Sequence, residues 1–130
     1  MLMTATQGAL YLGLLLVAAA VHGLILRFAV RLMVEVSMQV RVAYAIIALE
    51  YIVAAAIAGA LLATDSAWQV PAALAAVGLI ATGAVLIGRR VALPGGEPVG
   101  VGNGILIQFM QVPMVVPLAI LLSFFIIPPA

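Results

Sequence analysis

The sequence predicts an all-α integral membrane protein: four transmembrane helices, at about residues 8–26, 42–63, 69–88 and 104–127, in one antiparallel bundle forming a single membrane domain over residues 1–130. Three observations carry this expectation. The chain of 130 residues is 68% hydrophobic and 7% charged, which leaves too little polar surface to cover a soluble domain. Its apolar runs approach about 20 residues, the length that crosses a hydrocarbon layer about 30 Å thick. Its five arginines fall in only two of the connections between those runs.

The first run, Gly8 to Leu26, holds nineteen residues without a charge and stops at Arg27. Ala19 and Gly23 share one face of it, at the spacing that lets a neighbouring helix approach. The amino-terminal end shows neither a basic region nor a small-residue cleavage site, so this segment reads as a retained anchor. The second run, Val42 to Ala63, is apolar throughout except for one carboxylate, Glu50. Ala55, Gly59 and Ala63 recur at every fourth position along it, a second small-residue packing seam. A turn at residues 64–68 leads into the third run, Gln69 to Gly88. Pro71 is tolerated there because the first helical turn has no intrahelical acceptor for its amide, and Arg89 and Arg90 end the run. The fourth, Gly104 to Ile127, carries Gln108, Gln111, Pro113 and Pro117, and the two prolines are expected to bend it.

Four spans place both termini on one side. Arg27, Arg31 and Arg41 lie between the first two spans, Arg89 and Arg90 between the last two, and none lies elsewhere. The positive-inside rule then makes the arginine-bearing loops, 27–41 and 89–103, cytoplasmic and both termini non-cytoplasmic. Trp68 and Tyr11 are expected near the outer interface and Tyr44 near the inner one. The arginines are read as contacts for lipid headgroups or for another subunit.

Two readings stand for residues 27–42. Strict alternation from Val34 to Val42 is strand periodicity, and its partner would be the other loop, where 90–93 and 98–101 flank a turn-like Pro94-Gly95-Gly96-Glu97 and could fold back as a hairpin. The alternative continues the first helix past Arg27 and starts the second with Ser37 as cap. Gly100-Val101-Gly102-Asn103-Gly104 has no lysine and follows no soluble strand, so it reads as a flexible turn and not as a phosphate loop.

Glu50 lies roughly 12 Å from the cytoplasmic end of its span, so it must be protonated, paired or facing a wet cavity. His22, Thr82, Gln108 and Gln111 fall in the same inner half of their spans. If these faces converge they make a polar pocket opening to the cytoplasm, with Glu50 at the closed end, His22 nearer the mouth, and a proton able to pass between them. The competing expectation is that the glutamines are glue between helices. No cofactor is predicted. The sequence holds no cysteine and one histidine, too few for a self-contained zinc site or bis-histidine haem, and a single axial bond from His22 to a haem or pigment is the alternative left open.

The small net charge gives no reason to expect nucleic acid as a partner, and no catalytic set is spelled out. The expected partners are membrane lipids and other membrane subunits or further copies of the chain. The first functional expectation is therefore an accessory or scaffold subunit of a larger membrane assembly, without catalysis of its own. The alternative is a small oligomeric transporter or channel with Glu50 as its proton or cation coupling site.

Overall fold

The computed structural model describes residues 4–64 and 67–126. Over those residues the protein is all-helical, in the order α1 (Ala5–Val34), α2 (Val40–Leu62), α3 (Gln69–Arg90) and α4 (Val101–Ile126). All four helices are long and apolar enough to span a membrane. Asp65 and Ser66 of the expected outer turn lie outside the described residues, as does Ile127.

α1 begins at a reciprocal cap. The Thr4 hydroxyl accepts from the Gln7 amide, and the Gln7 side chain accepts from the Thr4 amide, which satisfies two donors that the first turn leaves unpaired. The helix does not stop at Arg27. It continues to Val34, where the backbone of Glu35 turns left-handed at φ 57° and its amide closes on the Arg31 carbonyl. Its 30 residues make about 45 Å of helix, longer than the roughly 30 Å hydrocarbon layer, so the arginine-bearing turns are the surplus.

Residues 35–39 are neither helix nor strand, so the helical reading of 27–42 holds in part and the strand reading does not. α2 starts at Val40, with Gln39 and not Ser37 at the cap position. Two anchors hold this connection: the buried Met38 side chain, and the Arg27 Nε, which donates to the Met38 carbonyl at 3.0 Å. At the other loop the expected hairpin forms on a small scale. Val99 donates to the Val91 carbonyl at 2.9 Å and Leu93 to that of Glu97 at 2.7 Å, with a bridge between Ala92 and Pro98 and a positive φ at Gly96.

The helices form a ring in which each packs on its neighbours in chain order and α1 closes on α4. Small residues set the close approaches. Gly88 lies against the Gly100–Val101 backbone, with the Gly100 amide donating to the Gly88 carbonyl at 3.0 Å, and one turn on Gly104 lies against the backbone of Ala84. The glycine-rich 100–104 stretch is thus the start of a packing seam, because a Cβ at Gly104 would overlap the Ala84 carbonyl. Gly23 receives the ring of Tyr44, whose hydroxyl donates to the Ala20 carbonyl at 2.8 Å. Tyr44 therefore packs helix on helix, a contact that its expected place near the inner interface did not include. α4 runs through Pro113 and Pro117 as one helix.

Burial is one-sided. Leu26, Ala29, Val30, Met38, Ala43, Ile46, Ile47, Ile87, Val91, Val99 and Ile107 form one buried apolar cluster, all at the arginine-bearing end. Towards the termini, beyond Glu50, Pro71 is the one described residue that is buried. Outward faces carry leucine, isoleucine and phenylalanine, such as Leu16, Leu24, Ile52 and Phe109. A bilayer, and not water, is the solvent that such a surface fits.

Candidate functional site

Where the apolar cluster ends, a layer of polar side chains crosses the bundle. Glu50 on α2 is 0% exposed, and His22 on α1 and Gln108 and Gln111 on α4 are buried with it. Four of the five polar residues picked out in sequence thus share one layer. Thr82 on α3 is half-buried and forms no hydrogen bond with them.

The order of donors follows from what each group can do. An ionised carboxylate only accepts, so the Gln108 amide nitrogen donates to Glu50 Oε1. The Gln108 carbonyl is then free to accept from Gln111 Nε2 at 3.1 Å. Gln111 in turn offers its carbonyl to His22 Nε2 at 3.1 Å, so that nitrogen carries hydrogen. His22 Nδ1 is left to accept from the Tyr51 hydroxyl at 3.1 Å, with ring centroids 5.7 Å apart. The chain runs Tyr51, His22, Gln111, Gln108, Glu50, with every donor pointing towards the carboxylate. It begins and ends on adjacent residues of α2.

Sequence reasoning missed two members of this arrangement. Tyr51 follows Glu50 but points about 100° away around the helix, and only the length of its ring lets it reach His22. Gly83 carries no polar group at all. It lets α3 pass beside the diagonal contact between α2 and α4, because a Cβ there would occupy the positions of the Gln108 amide and Glu50 Oε1. An isolated glycine within an apolar helix was the available signal.

The expected pocket opening towards the arginine-bearing loops does not form, because the apolar cluster fills that end. His22 also sits deeper than expected. With α1 running on to Val34 it is roughly 18 Å from that end of its helix, about level with Glu50. Nor does a direct His22–Glu50 contact form; two amides stand between them, and an amide does not relay protons without changing tautomer. A cavity of about 310 Å³ lies on the opposite, terminal side of the layer, between α3 and α4. Its floor includes His22, Tyr51, Gln108 and Gln111, and its walls are apolar, with Leu79 and Val116 among them.

The second carboxylate oxygen, Glu50 Oε2, is buried and has no hydrogen-bond partner. An unmatched acceptor in a low-dielectric interior is expensive as an anion and is relieved by a proton or a cation. Both nitrogens of His22 are engaged by protein, so an axial metal bond would have to displace Tyr51 or Gln111.

The remaining sequence-picked residues lie apart from this layer. Ala19 packs against the apolar cluster, whereas Ala55 and Gly59 on α2 and Ala63 at its C-cap are exposed, with nothing within 4 Å of the Gly59 Cβ position. Within the chain, α2 meets α3 instead through Gly78, which lies under Ile57 and Val53. Arg31, Arg41, Arg89 and Arg90 are exposed, and Arg27 is half-buried on the Met38 carbonyl. No sequence profile of a known family matches the chain, and neither a curated protein nor a solved structure is significantly similar to it.

Proposed function

We propose that the protein is a small membrane transporter or channel in which Glu50 binds and releases a proton or small cation. The observation that carries this reading is the unmatched Glu50 Oε2 at the end of an otherwise fully paired hydrogen-bond chain. A layer serving only as glue would leave no acceptor unsatisfied in so costly a place. Gln108 supports the reading because it holds Glu50 and also lines the cavity. A solute in the cavity that drew on the Gln108 amide would change the stability of the charge on Glu50, which is the coupling a carrier needs. Conduction along the chain is not part of the mechanism, since the amides orient and polarise but do not pass protons.

The test is proton flux into pyranine-loaded liposomes holding the purified protein, under an imposed potassium diffusion potential. Wild type is expected to acidify the lumen, Glu50→Gln to fall to the rate of empty liposomes, and Gln108→Ala to alter the rate without abolishing it. Absence in wild type of both proton flux and sodium uptake into the same liposomes, or full flux in Glu50→Gln, rejects the reading.

A second reading, an accessory or scaffold subunit, is favoured by the outward Ala55, Gly59 and Ala63 face, which has the spacing of a helix-packing seam and no partner helix among the described residues. Extraction in mild detergent separates the two: a subunit comes out with partners in fixed stoichiometry, a carrier alone or with its own copies.

A further inference from the structure

A groove of about 310 Å³ runs between α2 and α3 at the arginine-bearing end, separate from the polar layer. Arg41 and Arg90 stand at its mouth, and Ala45, Ile46, Leu49 and Leu86 line its length. The lining follows from helical spacing. Arg41, Ala45 and Leu49 succeed one another at four-residue steps along an exposed stripe of α2, and the half-buried Leu86 and the exposed Arg90 are one such step apart on α3. From Arg41 to Leu49 is roughly 12 Å along the axis, most of the depth of one leaflet of a layer about 30 Å thick.

The two guanidiniums are uncommitted. Unlike Arg27, neither has a hydrogen bond or ion pair among the described residues. The groove thus offers two bare cations at the level of headgroups and an apolar trough below them, with the small Ala45 leaving room on the α2 side. That order of chemistry, anion first and hydrocarbon after, is the order of an anionic phospholipid. We propose that the groove binds one such lipid, its phosphodiester between Arg41 and Arg90 and an acyl chain laid along Ala45, Leu49 and Leu86. The site does not depend on Glu50 or on any transport activity.

The protein in mild detergent is titrated with phosphatidylglycerol or phosphatidylcholine, and retained lipid is counted by native mass spectrometry. Wild type is expected to keep one phosphatidylglycerol in preference to phosphatidylcholine. Arg41→Gln with Arg90→Gln should weaken retention roughly twenty-five-fold, since each guanidinium near the headgroup contributes about fivefold. Arg89→Gln, one residue away and outside the groove, should leave it unchanged. Ala45→Trp fills the trough without touching either charge and should also release the lipid; Ala45 is exposed, so the bundle interior is unaffected. Should circular dichroism show that this variant misfolds, Leu49→Phe takes its place. Equal retention of the two lipids, an Arg89→Gln effect as large as that of Arg41→Gln, or full retention in the filled-groove variant would each overturn the site. Displacement of the lipid by equimolar glycerol 3-phosphate would overturn the acyl-chain contact.

Discussion

Gly83→Ala adds one methyl group, and the polar layer is where it lands. The new Cβ coincides with the Gln108 amide and Glu50 Oε1, neither of which can retreat without breaking their hydrogen bond. Losing a buried bond to a charged or polar partner costs about 1–3 kcal/mol, and forcing a methyl into packed space costs about 1–3 kcal/mol more. Removing a glycine from a helix returns about 0.5–1 kcal/mol, so the net destabilisation is about 1–5 kcal/mol. The comparison is Gly13→Ala, where nothing lies within 4 Å of the new Cβ and only the helix-propensity gain remains. Reversible unfolding in mixed micelles with increasing dodecyl sulfate, followed by far-ultraviolet circular dichroism, measures both. Gly83→Ala combined with Gln108→Ala should cost less than the sum of the two, by at least about 1 kcal/mol, because the amide that blocks the methyl is gone. Strict additivity, or equal stability of the two alanine variants, refutes the geometry.

The donor order of the chain fixes His22 as the tautomer with hydrogen on Nε2, which nitrogen-15 NMR of the labelled imidazole reads directly; Tyr51→Phe should move the Nδ1 resonance and cost about 1–3 kcal/mol by leaving a buried acceptor unpaired. Glu35 holds a left-handed backbone at φ 57°, so Glu35→Gly should raise stability by about 0.5–1 kcal/mol in the same micelle assay. For sidedness, cysteines introduced as Ala5→Cys and Glu97→Cys lie at opposite ends of the bundle; in intact cells an impermeant thiol reagent should label the first and spare the second, and the reverse pattern would invert the topology.

The spans were legible because charge-free length and arginine placement are properties of the chain itself. Their ends were not: α1 runs seven residues past Arg27, to Val34, since a mixed arginine and apolar segment outside the hydrocarbon can still be helical. Of the site, the ionisable and amide side chains could be picked out by depth alone, and His22, Glu50, Gln108 and Gln111 do share a layer. Which way the layer opens could not be read, because that depends on where the apolar residues close-pack. Tyr51 and Gly83 were missed for a related reason: one contributes through reach, and the other, marked only as a glycine within an apolar helix, through what it lacks. The exposed α2 seam shows the limit of spacing as a signal, since the same small-residue repeat can face a neighbour or face away.

The one-sided packing has an electrical meaning. The cluster that includes Leu26, Ile47, Ile87 and Ile107, with Met38 and Val99 at its end, is a buried apolar barrier between Glu50 and the arginine-bearing surface, whereas a cavity reaches the polar layer from the other side. A membrane voltage falls mainly across the part that holds no water, so most of it would stand across that cluster. If Glu50 exchanges protons as proposed, one reaching it from the cavity side, where Gln108 and not Glu50 lines the wall, would have crossed little of the field, and one leaving towards the arginines would cross nearly all of it, about 2.3 kcal/mol per 100 mV. Charge movement steep in voltage for one direction of travel and flat for the other is the signature of such a divided path. Equal steepness in both directions would mean that the cluster is wet.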